Sequence, residues 1–534
     1  MDTKPFFDDG AARFRADRDG GPRAVAALVL IVMAVLSGCG QDPNGDGATS
    51  DASSQGGYDL VLQGGRVIDP ETGLDAIRHV GVRGDRIVAV SEAPLDGDLA
   101  DNGRLIDATG LVVAPGFIDL HAHGHSEEAR DFQVRDGVTT ALELEWGVPR
   151  VAEFLEAREG RSRIHYGASV SHGILRGLVL LGDTPAGNQA AANAVEAMRA
   201  PEPLRAGQGV AIETFYEPLP MDDIPRLFEA LDRGLDEGGL GLGMAHQYYP
   251  GATRGEILRV FEFAAEGQVP IFTHVRSMGI DAMQEVIANA AATGAPLHIV
   301  HVNSSGLRDL PDVLRLIEGA RAKGIDVSTE TYPYTAASTS LQSSIFDPGW
   351  QERLGISEAD LQWESTGERL TPATFASYRE EGGTVIIHMM QAEMIELALR
   401  TPFVMVASDG MPYAPGAHPR TAGTFARVLG RYVREEGVLD LPTAIAKMTL
   451  LPAQRLEAVA PQFGRKGRIQ VGADADITVF DPGQILDTAT FEDDLSPSEG
   501  VRWVFVDGVA VIDDWELVGG AFPGRAMRGA RASS

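Results

Sequence analysis

Between Gly116 and Asp409, short apolar runs alternate with longer amphipathic stretches. The runs read as strands: GFIDLHAH, GVTTALELEW, RIHYGASV, GGLGLGMA, VPIFTHV, PLHIVHV, DVSTETYPY and FVMVASD. Between them, stretches such as RGEILRVFEFAAEG and GLRDLPDVLRLIEGARAKG place apolar residues three and four apart and stop at Gly, as crossover helices do. Eight strand-and-helix repeats predict an α/β protein built on a (β/α)8 barrel rather than a doubly wound sheet. About seventy residues separate TYPY from FVMVASD, too many for one crossover. An inserted lid or subdomain is therefore expected over about 337–400, with GTVIIHMM as one of its strands.

Outside this region the period changes. From Tyr58 to Leu111, runs such as DLVLQGGRVID and HVGVRGDRIVAV are broken by Gly and Asp turns, and a matching set, GRIQVGADADITVFDP and VRWVFVDGVAVID, lies at the far end. The two sets are expected to pair into one small domain from residues 58–112 and 467–517, leaving 113–466 for the barrel.

The first residues read differently again. Arg23 precedes thirteen unbroken apolar residues, Ala24 to Leu36, and then Ser37, Gly38 and Cys39. This is a basic flank, a signal-length apolar core and small residues at a cleavage point. Thirteen residues are too few for a permanent membrane span. Leu36 to Cys39 looks like a bacterial lipobox, whose cysteine is lipidated and becomes the mature N-terminus. Residues 1–39 are thus expected to be a lipoprotein-type signal, and the Gly-, Ser- and Asp-rich residues 40–57 a flexible tether. The expected location is outside the cytoplasm, lipid-anchored to a bacterial membrane.

Composition narrows the function. The net charge of -31, from 76 acidic and 45 basic residues, argues against nucleic acid or an anionic membrane surface as partner. Cys39 is the single cysteine, which excludes intramolecular disulfides and cysteine-based zinc sites. The only lysines are Lys4, Lys323, Lys447 and Lys466, none on a barrel strand.

In a barrel of this kind the chemistry sits at the carboxyl ends of the strands. His121 and His123 close the first strand, Glu143 and Glu145 the second, His274 the fifth, His301 the sixth and Asp409 the eighth. Nitrogen and oxygen donors from separate strand ends, without cysteine, suit zinc or another borderline divalent ion. His298 and His301 are three apart and so are expected on opposite faces, with His301 nearer the mouth. Glu143 and Glu145 share a face, and Glu145 is preferred because it lies closer to the mouth. His125, beyond the strand, is read as a ligand or an outer residue.

With those residues in place the chain resembles the amidohydrolase superfamily, and within it the N-acyl-D-amino-acid deacylases or D-aminoacylases. The motifs are GFIDLHAHGH, DGVTTALELEWG, THVR, HIVHVNSS, YPYTA, ASDG, HPRTAGTFARVLGRYVRE and KGRIQVGADADITVFDP, spread over Tyr58 to Asp514. The resemblance implies a barrel with a small β-sandwich from both chain ends and one or two zinc ions. His121 and His123 would hold one ion, His274 and His301 the other, with a second-strand residue between them and Asp409 as general base. Two departures stand out. The usual bridging cysteine is missing, its position falling on Trp146, so Glu145 is proposed to bridge; and Asn303 stands near where a lysine is normal. A hydroxide formed on the metal would attack the amide carbonyl of an N-acyl amino acid. Arg276, Arg420, Tyr334 and Asn303 are candidates for holding the substrate, whose carboxylate suits an arginine. The alternatives are a cyclic-amide hydrolase of the dihydroorotase or hydantoinase type, a dipeptidase, and a non-catalytic ligand-binding lipoprotein.

Overall fold

The computed structural model describes residues 57–200, 202, 212–493 and 495–532. Cys39 and the rest of the expected signal and tether, up to residue 56, lie outside the described residues.

Eight parallel strands form the barrel: β1 (Phe117–Asp119), β2 (Val138–Val148), β3 (His165–Ser171), β4 (Leu242–Ala245), β5 (Ile271–His274), β6 (Leu297–Ile299), β7 (Val327–Thr331) and β8 (Val404–Val406). They are hydrogen-bonded in chain order from β1 to β8. The seam between β8 and β1 closes by other means. The Asp119 carboxylate accepts from the Ser408 amide, 3.0 Å away, and from the Ser408 hydroxyl. Above it, Ala122 bridges Gly410 and the His123 amide donates to the Gly410 carbonyl at 2.8 Å.

Alternate residues of the strands enter two different cores, which is why the runs read as apolar on both faces. Leu142, Leu144, Phe272, Val300 and Met405 pack inside the barrel, over Leu456, Phe463 and Met527. Ile271, Leu297, Ile299 and Val404 face the helices, meeting Val260, Phe261, Val286 and Ile317. Each such side chain contributes about 1.5–3 kcal/mol by leaving water. The chain end joins in, because Tyr166 exchanges backbone hydrogen bonds with Arg525 and Met527, bringing Met527 under the barrel.

A nine-stranded sheet uses both chain ends, with Val112–Pro115 from the first half paired antiparallel to Ile477–Phe480 from the second. Val67, Val113, Val479 and Phe505 form its own core, while Val112, Phe480, Val504 and Val506 pack toward Phe117, Phe425 and the barrel. Beneath β3 lies an ionic seam, buried at His165, Lys466 and Asp476 and open to solvent at Arg525. His165 meets Asp476 at 3.2 Å, Lys466 pairs with Asp476 at 2.5 Å, and Arg525 pairs with Asp507 at 2.8 Å.

Between β7 and β8 an insert forms a three-stranded antiparallel sheet, Ala336–Ser340, Thr384–His388 and Leu361–Trp363. It has a core of its own around Phe346, Trp350, Trp363 and Ile387. The following helix, Ala392–Arg400, packs against β8 instead: Ala398 joins the barrel core, so that helix is the crossover and not part of the insert.

Candidate metal centre

The strand ends deliver His121, His123, Glu145, His274, His301 and Asp409 to one place at the barrel mouth. Glu145 stands in the middle. Its Oε2 lies 3.3 Å from His121 Nε2 and 3.2 Å from His123 Nε2, while Oε1 lies 2.9 Å from His274 Nδ1 and 3.1 Å from His301 Nε2. One carboxylate oxygen thus faces each histidine pair.

On the first side, Asp409 Oδ1 completes the set at 3.3 Å from His121 Nε2 and 3.5 Å from His123 Nε2, and the two nitrogens are 3.1 Å apart. His121 Nε2, His123 Nε2 and Asp409 Oδ1 are thus 3.1–3.5 Å apart, the spacing of ligand atoms that each stand about 2.0 Å from a shared zinc ion. The donor set therefore fits a divalent ion in size as well as in chemistry.

Glu143 does not enter this set. Its Oε2 is 2.7 Å from His123 Nδ1, and its Oε1 accepts from the Trp146 and Gly147 amides. The two glutamates part company because β2 departs from regular register between Glu143 and Val148, with Gly147 at φ 69°. A β-carbon on Gly147 would come within 2.6 Å of Ser169 Oγ and 2.9 Å of the Ser169 carbonyl, so this turn needs glycine.

The second nitrogen of every histidine in the centre is also held. His121 Nδ1 meets Glu330 Oε1 at 2.7 Å, His274 Nε2 meets Gln247 Oε1 at 2.6 Å, and His301 Nδ1 meets Ser305 Oγ at 3.0 Å. Gln247, Glu330 and Ser305 are absent from the sequence reading. Their signal was available, since Gln247 follows β4, Glu330 lies on β7 and Ser305 stands one helical turn after His301.

His298 corrects the face argument. Leu297 and Ile299 point to the helices, so His298 points into the barrel, where it meets Ser328 at 2.8 Å and Glu330 at 3.0 Å. Plain alternation would send His301 outward with Ile299. A left-handed backbone at His301, φ 35°, turns it back, and its ring lies 5.4 Å from that of His121. His125 is buried edge-on to Phe154 with Nε2 3.7 Å from Glu143 Oε2, behind the centre.

Burial opposes charge on these groups; at His274 it prevails and lowers the pKa, whereas around His121 the neighbouring charges win. At His121 the carboxylates of Asp409, Glu145 and Glu330 outweigh desolvation and raise the pKa well above its ordinary value. Desolvation would raise Glu330 and Glu143, but His121 and His123 respectively pull them down to about 2. Asp409 is likewise held far below the carboxylate range, by Arg420 and then His121. Four carboxylates, Glu143, Glu145, Glu330 and Asp409, share this buried site, and the positive groups against them are Arg420 and the His121 and His123 imidazoles.

The candidate substrate residues separate. Arg420 reaches the centre, with Nη1 2.8 Å from Asp409 Oδ2 and its guanidinium 4.7 Å above the Tyr332 ring. Arg276 does not: it is bound to Glu285 at 3.0 Å and to the Ala252 carbonyl at 2.8 Å. Tyr334 lies under Arg427 with its hydroxyl 3.4 Å from Asp487, and Asn303 donates to the Tyr332 carbonyl. Neither these two nor Arg276 borders the cavity, of about 610 Å³, that opens from the centre. Its walls include Trp146, Phe215, Tyr248, Met278 and Met389, with Ser338 and Thr339 from the insert. Tyr248, another omission of the sequence reading, stacks edge-on at 5.0 Å from the His274 ring.

Comparison with known proteins agrees with this geometry. The profile of the amidohydrolase family matches residues 104–512. The D-aminoacylase of Alcaligenes xylosoxydans xylosoxydans is 31% identical over 512 residues, covering 86% of this chain and 96% of that protein. A structure of D-aminoacylase described for its binuclear metal centre superposes with a TM-score of 0.71 at 27% identity, over 88% of this chain and 100% of that one. The N-acyl-D-glutamate deacylase of Bordetella bronchiseptica, complexed with zinc and a phosphonate mimic of the tetrahedral intermediate, matches at 0.71 and 26% over the same shares.

Proposed function

The chain belongs to the amidohydrolase family, and from that premise we propose that it is a metal-dependent hydrolase cleaving the amide bond of N-acyl-D-amino acids to a carboxylate and a free amino acid. The observation that carries this reading is Glu145, whose two oxygens each face one histidine pair, with Asp409 beside the first. His121, His123, Asp409 and Glu145 would hold one zinc ion, and His274, His301 and Glu145 a second. Bound there, zinc supplies a Lewis acid for the amide carbonyl and lowers the pKa of water.

The protein's own groups do the rest. Asp409, kept ionised by Arg420, accepts the proton of the attacking water at Oδ1 and passes it to the departing amine nitrogen. The substrate carboxylate would sit at Ser338, which borders the cavity, with the buried Arg420 guanidinium behind it. Ser338 Oγ and Arg420 Nε are both buried without a hydrogen-bond partner, and Arg420 Nη2 lies 3.4 Å from the Ser338 carbonyl. Arg276, Tyr334 and Asn303 support the walls from outside. Among the described residues no lysine or arginine borders the cavity, so its aromatic and methionine walls suit an apolar side chain or acyl group.

The experiment is a panel of N-acetyl-D- and N-acetyl-L-amino acids on zinc-loaded protein, reading the released amine. D-Leucine and D-methionine derivatives are expected to turn over well ahead of D-glutamate. Activity confined to L-substrates, or to cyclic amides such as dihydroorotate, would refute the assignment. For location, the Leu36–Cys39 segment supports export and lipid anchoring. A Cys39→Ala variant should leave the membrane fraction; one that remains there would contradict the anchor.

A further inference from the structure

The cavity that opens from the centre is larger than an N-acetyl amino acid requires. Its volume of about 610 Å³ has room for about twenty water-sized groups, whereas N-acetyl-D-leucine brings only about twelve heavy atoms. The direction of the spare room follows from the anchor points. In an N-acyl amino acid the carboxylate and the acyl chain leave the amide from opposite ends. Arg420, behind the carboxylate position at Ser338, is paired to Asp409 on the first side of the centre. With the amide carbonyl at the centre, the acyl chain therefore runs past the second side, where Tyr248 lies edge-on to His274.

The wall on that side is apolar. Trp146 stands edge-on to Tyr248 at 5.4 Å and to Phe215 at 6.3 Å. Tyr248 and Met278 pack on the core of the insert, from which Ile345 and Leu354 also reach the cavity. The hydroxyls within this wall are already engaged, because Thr339 donates to the Tyr248 hydroxyl at 3.0 Å and Ser344 to the Gln247 carbonyl at 2.5 Å. We propose that this half of the cavity is an acyl subsite, and that the protein prefers N-acyl-D-amino acids carrying an unbranched alkanoyl chain of about eight to ten carbons over their N-acetyl counterparts. The proposal rests on the deacylase reading above and leaves its chemistry unchanged: one water is consumed, the amide C–N bond breaks, and an alkanoate and a free amino acid depart.

A series of N-acyl-D-leucines from acetyl through dodecanoyl, each below its micelle-forming concentration, tests it on zinc-loaded protein. Burial of each added methylene should raise kcat/KM about two- to fourfold, up to decanoyl, with no further gain beyond. Met278→Trp, which fills the subsite from a half-buried loop, should lower the decanoyl-to-acetyl ratio of kcat/KM at least tenfold. Met278→Asp, which sets a carboxylate against the chain, should do the same and covers the case in which the tryptophan variant fails to fold. Calorimetry on Asp409→Asn protein reads binding without turnover, and the decanoyl compound should bind at least a hundredfold tighter than the acetyl one. The inference is overturned if kcat/KM of wild type is flat or falls with chain length while N-acetyl-D-leucine is hydrolysed, a result that leaves the deacylase reading standing. It is also overturned if both Met278 variants keep the wild-type ratio. Absence of turnover at every chain length, in the D and the L series alike, would sink the deacylase reading and the acyl subsite with it.

Discussion

His301 and Asp409 both hold left-handed backbone, at φ 35° and 51°, a conformation that costs a non-glycine residue of order 1–3 kcal/mol. His301 aims its side chain at Glu145 and Asp409 at His121 and His123, so strain accumulates where the ligands converge. Asp409 has the more demanding task, because it must stay ionised in a buried site to accept a proton. Asp409→Asn, which preserves shape, should lower kcat about 10²–10⁴-fold in metal-saturated protein with KM little changed. Loss of less than tenfold in steady-state kinetics would remove it from proton transfer. Ser338→Ala deletes one hydrogen bond to the substrate carboxylate, worth about 1.5–3 kcal/mol with a charged acceptor. It should raise KM at least tenfold with kcat nearly constant, and an unchanged KM would place the carboxylate elsewhere. The ligand types were legible because histidines and acids recur at strand ends. The face of His298 was not, since the turn at His301 lies in backbone torsions that alternation cannot reveal.

Among the elements, β2 determines how Glu145 is presented. The irregularity after Glu143, made possible by Gly147, sends one glutamate behind His123 and the other between the histidine pairs. Gly147→Ala meets both the unfavourable φ and the close approach to Ser169, so it should destabilise the fold by about 2 kcal/mol or more and impair zinc uptake. Chemical denaturation and metal content check this; a variant matching wild type in both would mean that the turn does not position Glu145. Eight strands and the insert were visible as apolar runs and an overlong gap. The bulge was not, because period-two reasoning assumes unbroken register. The insert's end was overextended for a related reason: an amphipathic helix such as Ala392–Arg400 reads the same whether it packs on the barrel or on the insert.

At the scale of the whole molecule, sequence separation is erased at the mouth: Asp119 joins Ser408, His121 joins Glu330, and Glu145 joins His301. The barrel is held closed at its seam by the same turns that carry His121, His123 and Asp409, so metal and fold should be linked. Saturating zinc at 100 times its Kd adds about 2.7 kcal/mol of apparent stability. Chelation should therefore lower Tm by a few degrees and zinc should restore it; identical thermal scans with and without chelator would contradict the linkage. The terminal sheet was legible from matching β-rich runs, but the return of Arg525 and Met527 beneath the barrel was not, because that tail carries no regular pattern. The claim beneath all of this is that distant histidines and carboxylates gather around divalent cations. Zinc-edge anomalous diffraction from crystals grown with zinc measures it directly. Peaks are expected between His121, His123, Asp409 and Glu145 and beside His274 and His301. A map without density at either place would contradict it.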